Sequence, residues 1–155
     1  MMSVPDLTTK YVFSLAIQVG KPVVAGDLGY GTRRVIPVLG GTVKGEGING
    51  TIHQGGADFQ IIRPDGFTEL EAKYTFELDD GAVIYIANYG IRFGPKEALD
   101  RIARGEIVDP ALIYFRSVPK FETAHPDYLW LMQNLFIGVG ARHPDRVELD
   151  VHQVL

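Results

Sequence analysis

Apolar and polar residues alternate with a period of two along most of this chain. From Lys10 to Gly20 the odd positions Tyr11, Phe13, Leu15, Ile17 and Val19 are apolar, with Ser14 and Gln18 opposite. From Thr68 to Leu78 the pattern is cleaner. Leu70, Ala72, Tyr74, Phe76 and Leu78 fall on one face, and Glu69, Glu71, Lys73, Thr75 and Glu77 on the other. Successive side chains of a strand point to opposite faces, so this predicts a half-buried strand with Glu69, Glu71 and Glu77 toward water. Asp79-Asp80-Gly81 supplies a hairpin turn. The return segment, Ala82 to Ile91, is apolar on both faces: Val83, Tyr85, Ala87, Tyr89 and Ile91 on one, Ile84 and Ile86 on the other. A strand wet on one side does not read this way, so its second face is expected to lie under a helix or a second subunit.

Further strands are predicted over Thr32 to Leu39, Thr42 to His53, Ala57 to Arg63, Leu112 to Val118, Gln133 to Arg142 and Arg146 to Leu155. Pro64-Asp65-Gly66 and His143-Pro144-Asp145 mark turns between them. One helix is expected, opening at Pro95 and ending near Gly105 on an apolar stripe of Ala98, Leu99, Ile102 and Ala103. A shorter helical turn is expected from Pro126 to about Met132. Nine strands without a βαβ rhythm give an all-β, mainly antiparallel fold. Short strand spacing and 18 glycines favour a closed or nearly closed barrel, because closure removes exposed edges.

A length of 155 residues suits a single β-barrel domain, residues 1–155, with a substantial core. With a net charge of −4 and no basic patch, neither nucleic acid nor an anionic membrane is an expected partner. The absence of cysteine removes disulfides and thiolate chemistry and fits a cytoplasmic setting. The N-terminus shows no signal-peptide pattern, and no apolar run approaches the roughly 20 residues of a membrane span.

Several kinds of chemistry find no support. His53, His125, His143 and His152 stand far apart without metal-ligand spacing, so no metal is expected. Gly45-Glu46-Gly47-Ile48-Asn49-Gly50 matches a GxGxxG pattern but opens no helix; its glycines read as strand bends where another backbone passes close. No serine sits in a GxSxG elbow. No cofactor is implied.

What remains is a set of polar and aromatic groups on strands. Gly55-Gly56 precedes Asp58, which begins the apolar run Phe59, Ile61, Ile62. An ionised carboxylate there needs a cation or hydrogen-bond donors. Arg33, Arg34, Arg63 and Arg116 are candidate partners, with Arg116 foremost because it sits in the aromatic run Tyr114-Phe115-Arg116. Asp58 either closes a structural turn or salt bridge, or forms a polar centre in an apolar cavity. Arg33, Arg34, Tyr85, Asn88, Tyr114, Glu122, Trp130 and Asn134 are candidate ligand contacts, since alternating barrel strands can converge them on one lumen.

The succession Arg33-Arg34-Val35-Ile36-Pro37, Gly40-Gly41, Gly45-Glu46-Gly47, Gly55-Gly56-Ala57-Asp58, Asp79-Asp80-Gly81, Tyr114-Phe115-Arg116, Pro119-Lys120-Phe121-Glu122-Thr123 and Tyr128-Leu129-Trp130-Leu131 resembles the DUF3237 (UPF0311) family from about Leu15 to Leu155. The resemblance implies a small antiparallel barrel, similar to lipocalin-like or allene-oxide-cyclase-like barrels, and a homo-oligomer, a dimer before other assemblies. It also implies an association with small-molecule biosynthesis, with cyclisation or lactonisation of a polyketide-like chain as the suggested chemistry.

Two functional readings stand side by side. In the first, a cofactor-free enzyme acts on a small, partly apolar organic acid, ketone or polyketide-like compound. Asp58 is its general acid or base, set against Arg116, and Arg33 or Arg34 holds a carboxylate or enolate. In the second, the barrel binds a small molecule without transforming it, and Asp58 and Arg116 anchor a polar end. A structural barrel without an accessible lumen is a third outcome.

Overall fold

The computed structural model describes residues 2–155. Ten strands build one sheet: β1 (Thr9–Val19), β2 (Val23–Asp27), β3 (Thr32–Gly45), β4 (Ile48–Ile52), β5 (Ala57–Ile62), β6 (Thr68–Leu78), β7 (Val83–Phe93), β8 (Tyr114–Glu122), β9 (Phe136–Arg142) and β10 (Arg146–Val154). One α-helix, α1 (Lys96–Ala103), follows β7, and short 3₁₀ segments occupy Pro110–Leu112 and Pro126–Met132. The strands run in the order β1-β10-β9-β8-β7-β6-β4-β3, and β1 pairs back to β3, which closes the barrel. β4 and β5 lie end to end between β3 and β6, while β2 extends the far side of β3. Closure leaves the barrel without a free edge. The wall is thinnest between β8 and β9, where only Arg116↔Val139 and Ser117↔Gly138 are in register.

Three expectations about the strands are corrected. Thr42 to His53 is not one strand: β3 ends at Gly45, and a hairpin turn at Glu46-Gly47, with Gly47 at φ 73°, leads into β4. The sequence pattern breaks at Gly40-Gly41, yet β3 continues through both residues, which bend it at φ 145° and 139°. Only glycine fits at position 41, because a Cβ there would lie 1.9 Å from the Ala16 carbonyl oxygen of β1. β2 escapes sequence reading because Val23, Val24 and Ala25 are all exposed and carry no alternation.

On β6 the register follows the alternation. Leu70, Tyr74, Phe76 and Leu78 are buried, Ala72 is half-buried, and Glu71 and Glu77 are exposed with Glu69 partly so. Ile84 and Ile86 of β7 are covered by the barrel interior, not by α1 or a second subunit. The face that stays open on the single chain is the opposite one, with Val83 and Tyr89 about half exposed. α1 instead packs at one end of the barrel, where Ala98 and Ile102 bury against Val108.

The interior has two halves. One is solid: Phe121 lies 5.6 Å from Phe13, 5.2 Å from Phe136 and 6.4 Å from Phe76, centroid to centroid. Such tilted and edge-on contacts add to the area the rings bury. The Pro126–Met132 segment covers this end, with Leu131 buried and the Trp130 ring tilted against Phe136 at 6.0 Å. The half nearer α1 is lined by polar residues.

Candidate functional site

Strand parity decides which side chains reach the polar half of the lumen. On β5, Asp58 and Gln60 point inward and Phe59, 39% exposed, points out. The apolar run that flanks Asp58 in sequence is therefore largely the outer face of its strand. Gly56, just before β5, has φ 75°, and a Cβ there would meet the Lys73 carbonyl oxygen at 2.1 Å. That contact seats the start of β5 tightly against β6. Facing Asp58 are Tyr74 on β6, Asn88 on β7, Ser117 on β8 and Arg142 on β9, with Ile36, Leu70 and Leu149 as apolar wall.

They enclose a cavity in which the centre of a water molecule has about 40 Å³ to move. About 10–15 Å³ of such space holds one water, so the cavity takes a few waters or the polar end of a small molecule. Of nine buried side-chain nitrogens and oxygens without a protein partner among the described residues, eight belong to Arg34, Asp58, Gln60, Tyr74, Asn88, Arg92 and Ser117. Native interiors leave few such groups, so their concentration in one place marks a site where something else meets them.

The Asp58 carboxylate accepts a hydrogen bond from Gln60 Nε2 at Oδ2, 2.9 Å away, while Oδ1 is sealed and unpartnered. Burial raises its pKa above the ordinary carboxylate value; the Gln60 bond and the charges of Arg92 and Arg142 oppose that rise without cancelling it. Tyr74 is held protonated, because burial and the nearby Asp58 both raise its pKa. Arg92, 2% exposed, lies over the Phe115 ring at 5.6 Å. Burial brings its pKa down to about 10, with Asp58 acting against the fall and Arg142 and Arg34 adding to it. Arg34 donates from Nη1 to the Ala103 carbonyl at the end of α1, 3.0 Å away. Arg142 donates from Nη1 to the His143 and Arg146 carbonyls of the β9–β10 turn. Burial lowers both of their pKa values as well.

The residues expected from sequence therefore separate. Asp58 and Asn88 line the lumen, and Arg34, in the wall of the adjoining cleft, is near enough for the Asp58 charge to act on it. Arg116 does not. Phe115 and Ser117 hold the inward positions of β8, so Tyr114 and Arg116 point out, where the Arg116 guanidinium lies 5.1 Å from the Tyr114 ring and Nη1 donates to the Phe115 carbonyl at 3.0 Å. The expected Asp58–Arg116 partnership is replaced by Arg92, Arg142 and Arg34. Arg33 and Tyr85 lie on outer faces of β3 and β7, and Glu122 is exposed at the end of β8. Trp130 and Asn134 sit at the opposite, covered end, where Asn134 Nδ2 donates to the Trp130 carbonyl at 2.9 Å.

Sequence reasoning passed over Gln60, Arg92, Ser117 and Arg142, and took Tyr74 for plain core. Parity offered a signal for some. Gln60 lies two residues beyond Asp58, and Arg92 continues the Ile86, Asn88, Gly90 face. One group with metal-ligating atoms is present on the surface among the described residues: Asp80, His125 and Asp127, with donor atoms within 4.8 Å of one another. Asp80 already accepts from the Tyr128 hydroxyl at 2.5 Å and the Ala82 amide at 3.1 Å. His125 Nδ1 accepts from the Asp127 amide at 3.2 Å. Local hydrogen bonds thus account for two of the three side chains. No helix among the described residues is long and apolar enough to cross a membrane.

The model of a family described as "Protein of unknown function (DUF3237)" matches residues 7–154. A UPF0311 protein of Rhodopseudomonas palustris strain TIE-1 is 63% identical over 151 residues, 97% of this chain and 99% of that protein. The crystal structure of a conserved protein of unknown function from Rhodopseudomonas palustris, 62% identical, superposes with a TM-score of 0.95 over 98% of this chain and all of that one. An enzyme from Penicillium herquei shares the fold at 18% identity, with a TM-score of 0.74 over the whole of both chains.

Proposed function

The chain belongs to the DUF3237 family, and from that premise and the lumen's geometry we propose that it takes up a small, partly apolar organic compound and moves a proton on it with Asp58. The observation that carries this reading is the Asp58 carboxyl in the cavity wall, positioned by Gln60 through one oxygen and with the other free of protein partners. A carboxylic acid whose pKa is raised by burial is an effective proton donor and acceptor nearer neutrality than an exposed one. The Tyr74 hydroxyl, kept protonated, is available to donate a hydrogen bond to a carbonyl or enol oxygen of the ligand. Asn88 and Ser117 supply further polar contacts, and the apolar wall takes the carbons next to the polar end, the rest of the molecule extending out of the cavity. Isomerisation, cyclisation and lactonisation all fall within such acid–base chemistry and need no redox partner.

The test is solvent exchange. A panel of enolisable ketones, β-keto acids and unsaturated lactones is incubated in D₂O with the wild type and with Asp58→Asn, and deuterium incorporation is followed by proton NMR. The variant keeps the shape of the side chain and removes its proton, so exchange should fall by about 10²-fold or more. Equal exchange in both proteins would overturn the catalytic role of Asp58. Binding without exchange in either would leave the barrel as a carrier.

A further inference from the structure

We infer that the lumen is built for a small organic anion, which enters through the cleft at the α1 end and sets its charged oxygens against Arg34, Arg92 and Arg142. This inference rests on the lumen being the site proposed above, and it names the class of molecule that site takes.

The first argument is the charge count. Arg92 and Arg142 act on the one buried carboxylate, Asp58, which acts in turn on Arg34, and Arg92 feels the charges of both other guanidiniums. Three guanidiniums, Arg142 in the lumen wall and Arg92 and Arg34 close behind it, thus surround a single buried carboxylate, with Asp145 also acting on Arg142 from the β9–β10 turn. Burying a guanidinium is expensive unless it is paired and hydrogen-bonded. Here the pairing is incomplete. Arg92 Nε and Nη1 and Arg34 Nε are sealed from solvent and have no protein acceptor. A carboxylate or enolate oxygen arriving between them would accept those N–H groups and neutralise part of the charge.

The second argument is the route. Outside the barrel, a cleft runs between the end of β1 (Val19) with the β1–β2 connection (Gly20, Lys21, Pro22), the end of α1 (Ile102, Ala103) with Arg104 and Gly105, and the β9–β10 turn (Pro144, Asp145). It shares Val19 and Arg142 with the lumen and has Arg34 in its wall. Lys21 and Arg104 stand exposed at its rim. Arg104 is partly neutralised by Glu106 at 2.6 Å, and the one acid of the cleft, Asp145, is engaged by Arg146 at 3.2 Å. A chain with a net charge of −4 thus places a positive passage at this end of its barrel. Such a field raises the encounter rate of anions. Arg34 and Arg142 lie where passage and lumen meet, each also bonded to a backbone carbonyl of the capping elements.

The third argument is the wall. Ile17, Ile36, Leu70 and Leu149 line the cavity around the polar groups. A bare inorganic anion would leave that surface unused. The occupant is therefore an anion with an apolar portion next to its charged group.

Matched pairs test this: butyrate with butyramide, benzoate with benzamide, and phenylacetate with phenylacetamide, each titrated calorimetrically at low and high salt. The carboxylates should bind at least about tenfold more tightly than their amides, as expected for hydrogen bonds to a charged rather than a neutral acceptor. Arg92→Met, and separately Arg142→Gln, should abolish that preference; urea unfolding shows whether each variant is folded. Lys21→Glu leaves the lumen untouched, and should slow association and flatten its salt dependence. Amides binding as well as carboxylates, no carboxylate binding at all, or the preference surviving in folded Arg92→Met would each overturn the inference. Asp58→Asn separates this inference from the proton-transfer reading. Carboxylates that bind it as tightly as they bind the wild type, with exchange unaffected, refute only the catalytic role of Asp58.

Discussion

Arg92→Met should make the ligand-free protein more stable, not less. The guanidinium is 2% exposed, and two of its nitrogens have no acceptor. Its pKa falls from 12.5 to about 10. At about 1.4 kcal/mol per unit, keeping this group charged in the folded state costs about 3 kcal/mol. The sign follows from the direction of the shift. The group is a base with a lowered folded-state pKa, so the cost is fully present at neutral pH and eases only as pH rises past about 10. Methionine fills similar space without the charge. It loses the guanidinium–Phe115 contact at 5.6 Å, worth about 0.5–2 kcal/mol. The net expectation is a gain of about 1–3 kcal/mol, in line with replacements of buried ions by apolar residues of similar volume. Urea unfolding at pH 7 measures it. With m of about 1–3 kcal/mol/M, the midpoint should rise by about 0.5–2 M at unchanged m. Melting should rise by about 2–4 °C per kcal/mol. A loss of about 3 kcal/mol or more would refute the reasoning, because that is the signature of breaking a direct buried ion pair. A more stable variant that no longer binds carboxylates would place Arg92 among groups kept for function at the expense of stability.

Four further outcomes are expected. The raised pKa of Asp58 favours its acid form in the folded state, so the stability it contributes is present at low pH and lost as pH rises through that raised value; the melting temperature of Asp58→Asn should gain on the wild type as pH rises above the ordinary carboxylate range of about 4. Tyr74→Phe removes a buried hydroxyl without a partner, so stability should hold or rise while deuterium exchange on carbonyl probes falls. Phe121→Ala, at the centre of the aromatic cluster, should cost about 3–5 kcal/mol in urea unfolding. Arg116→Ala should leave both carboxylate binding and exchange unchanged in the assays above, since its guanidinium lies on the outer wall.

The period-two alternation was sufficient for the all-β class, most of the strands and the inward face of β6, because a half-buried strand writes its two environments into alternate residues. Asp58 was legible as a carboxylate in an apolar setting, and Arg34 and Asn88 as polar groups on barrel strands. The identity of the cations facing Asp58 was not. β8 does alternate, with Phe115, Ser117, Pro119 and Phe121 against Arg116, Lys120 and Glu122, but the aromatic run Tyr114-Phe115-Arg116 masks which face is the lumen; Phe115 and Arg116 exchange places with a shift of one residue. That choice was made by the β7–β8 register, which sets Arg92 opposite Phe115 and Ile91 opposite Arg116. Closure then brought β3, β5, β7 and β9 around one space, gathering Arg34, Asp58, Arg92 and Arg142 from positions as much as 108 residues apart. A strand's own sequence records how much of each face is buried. Which charges share that burial depends on partners reached only when the sheet curls shut.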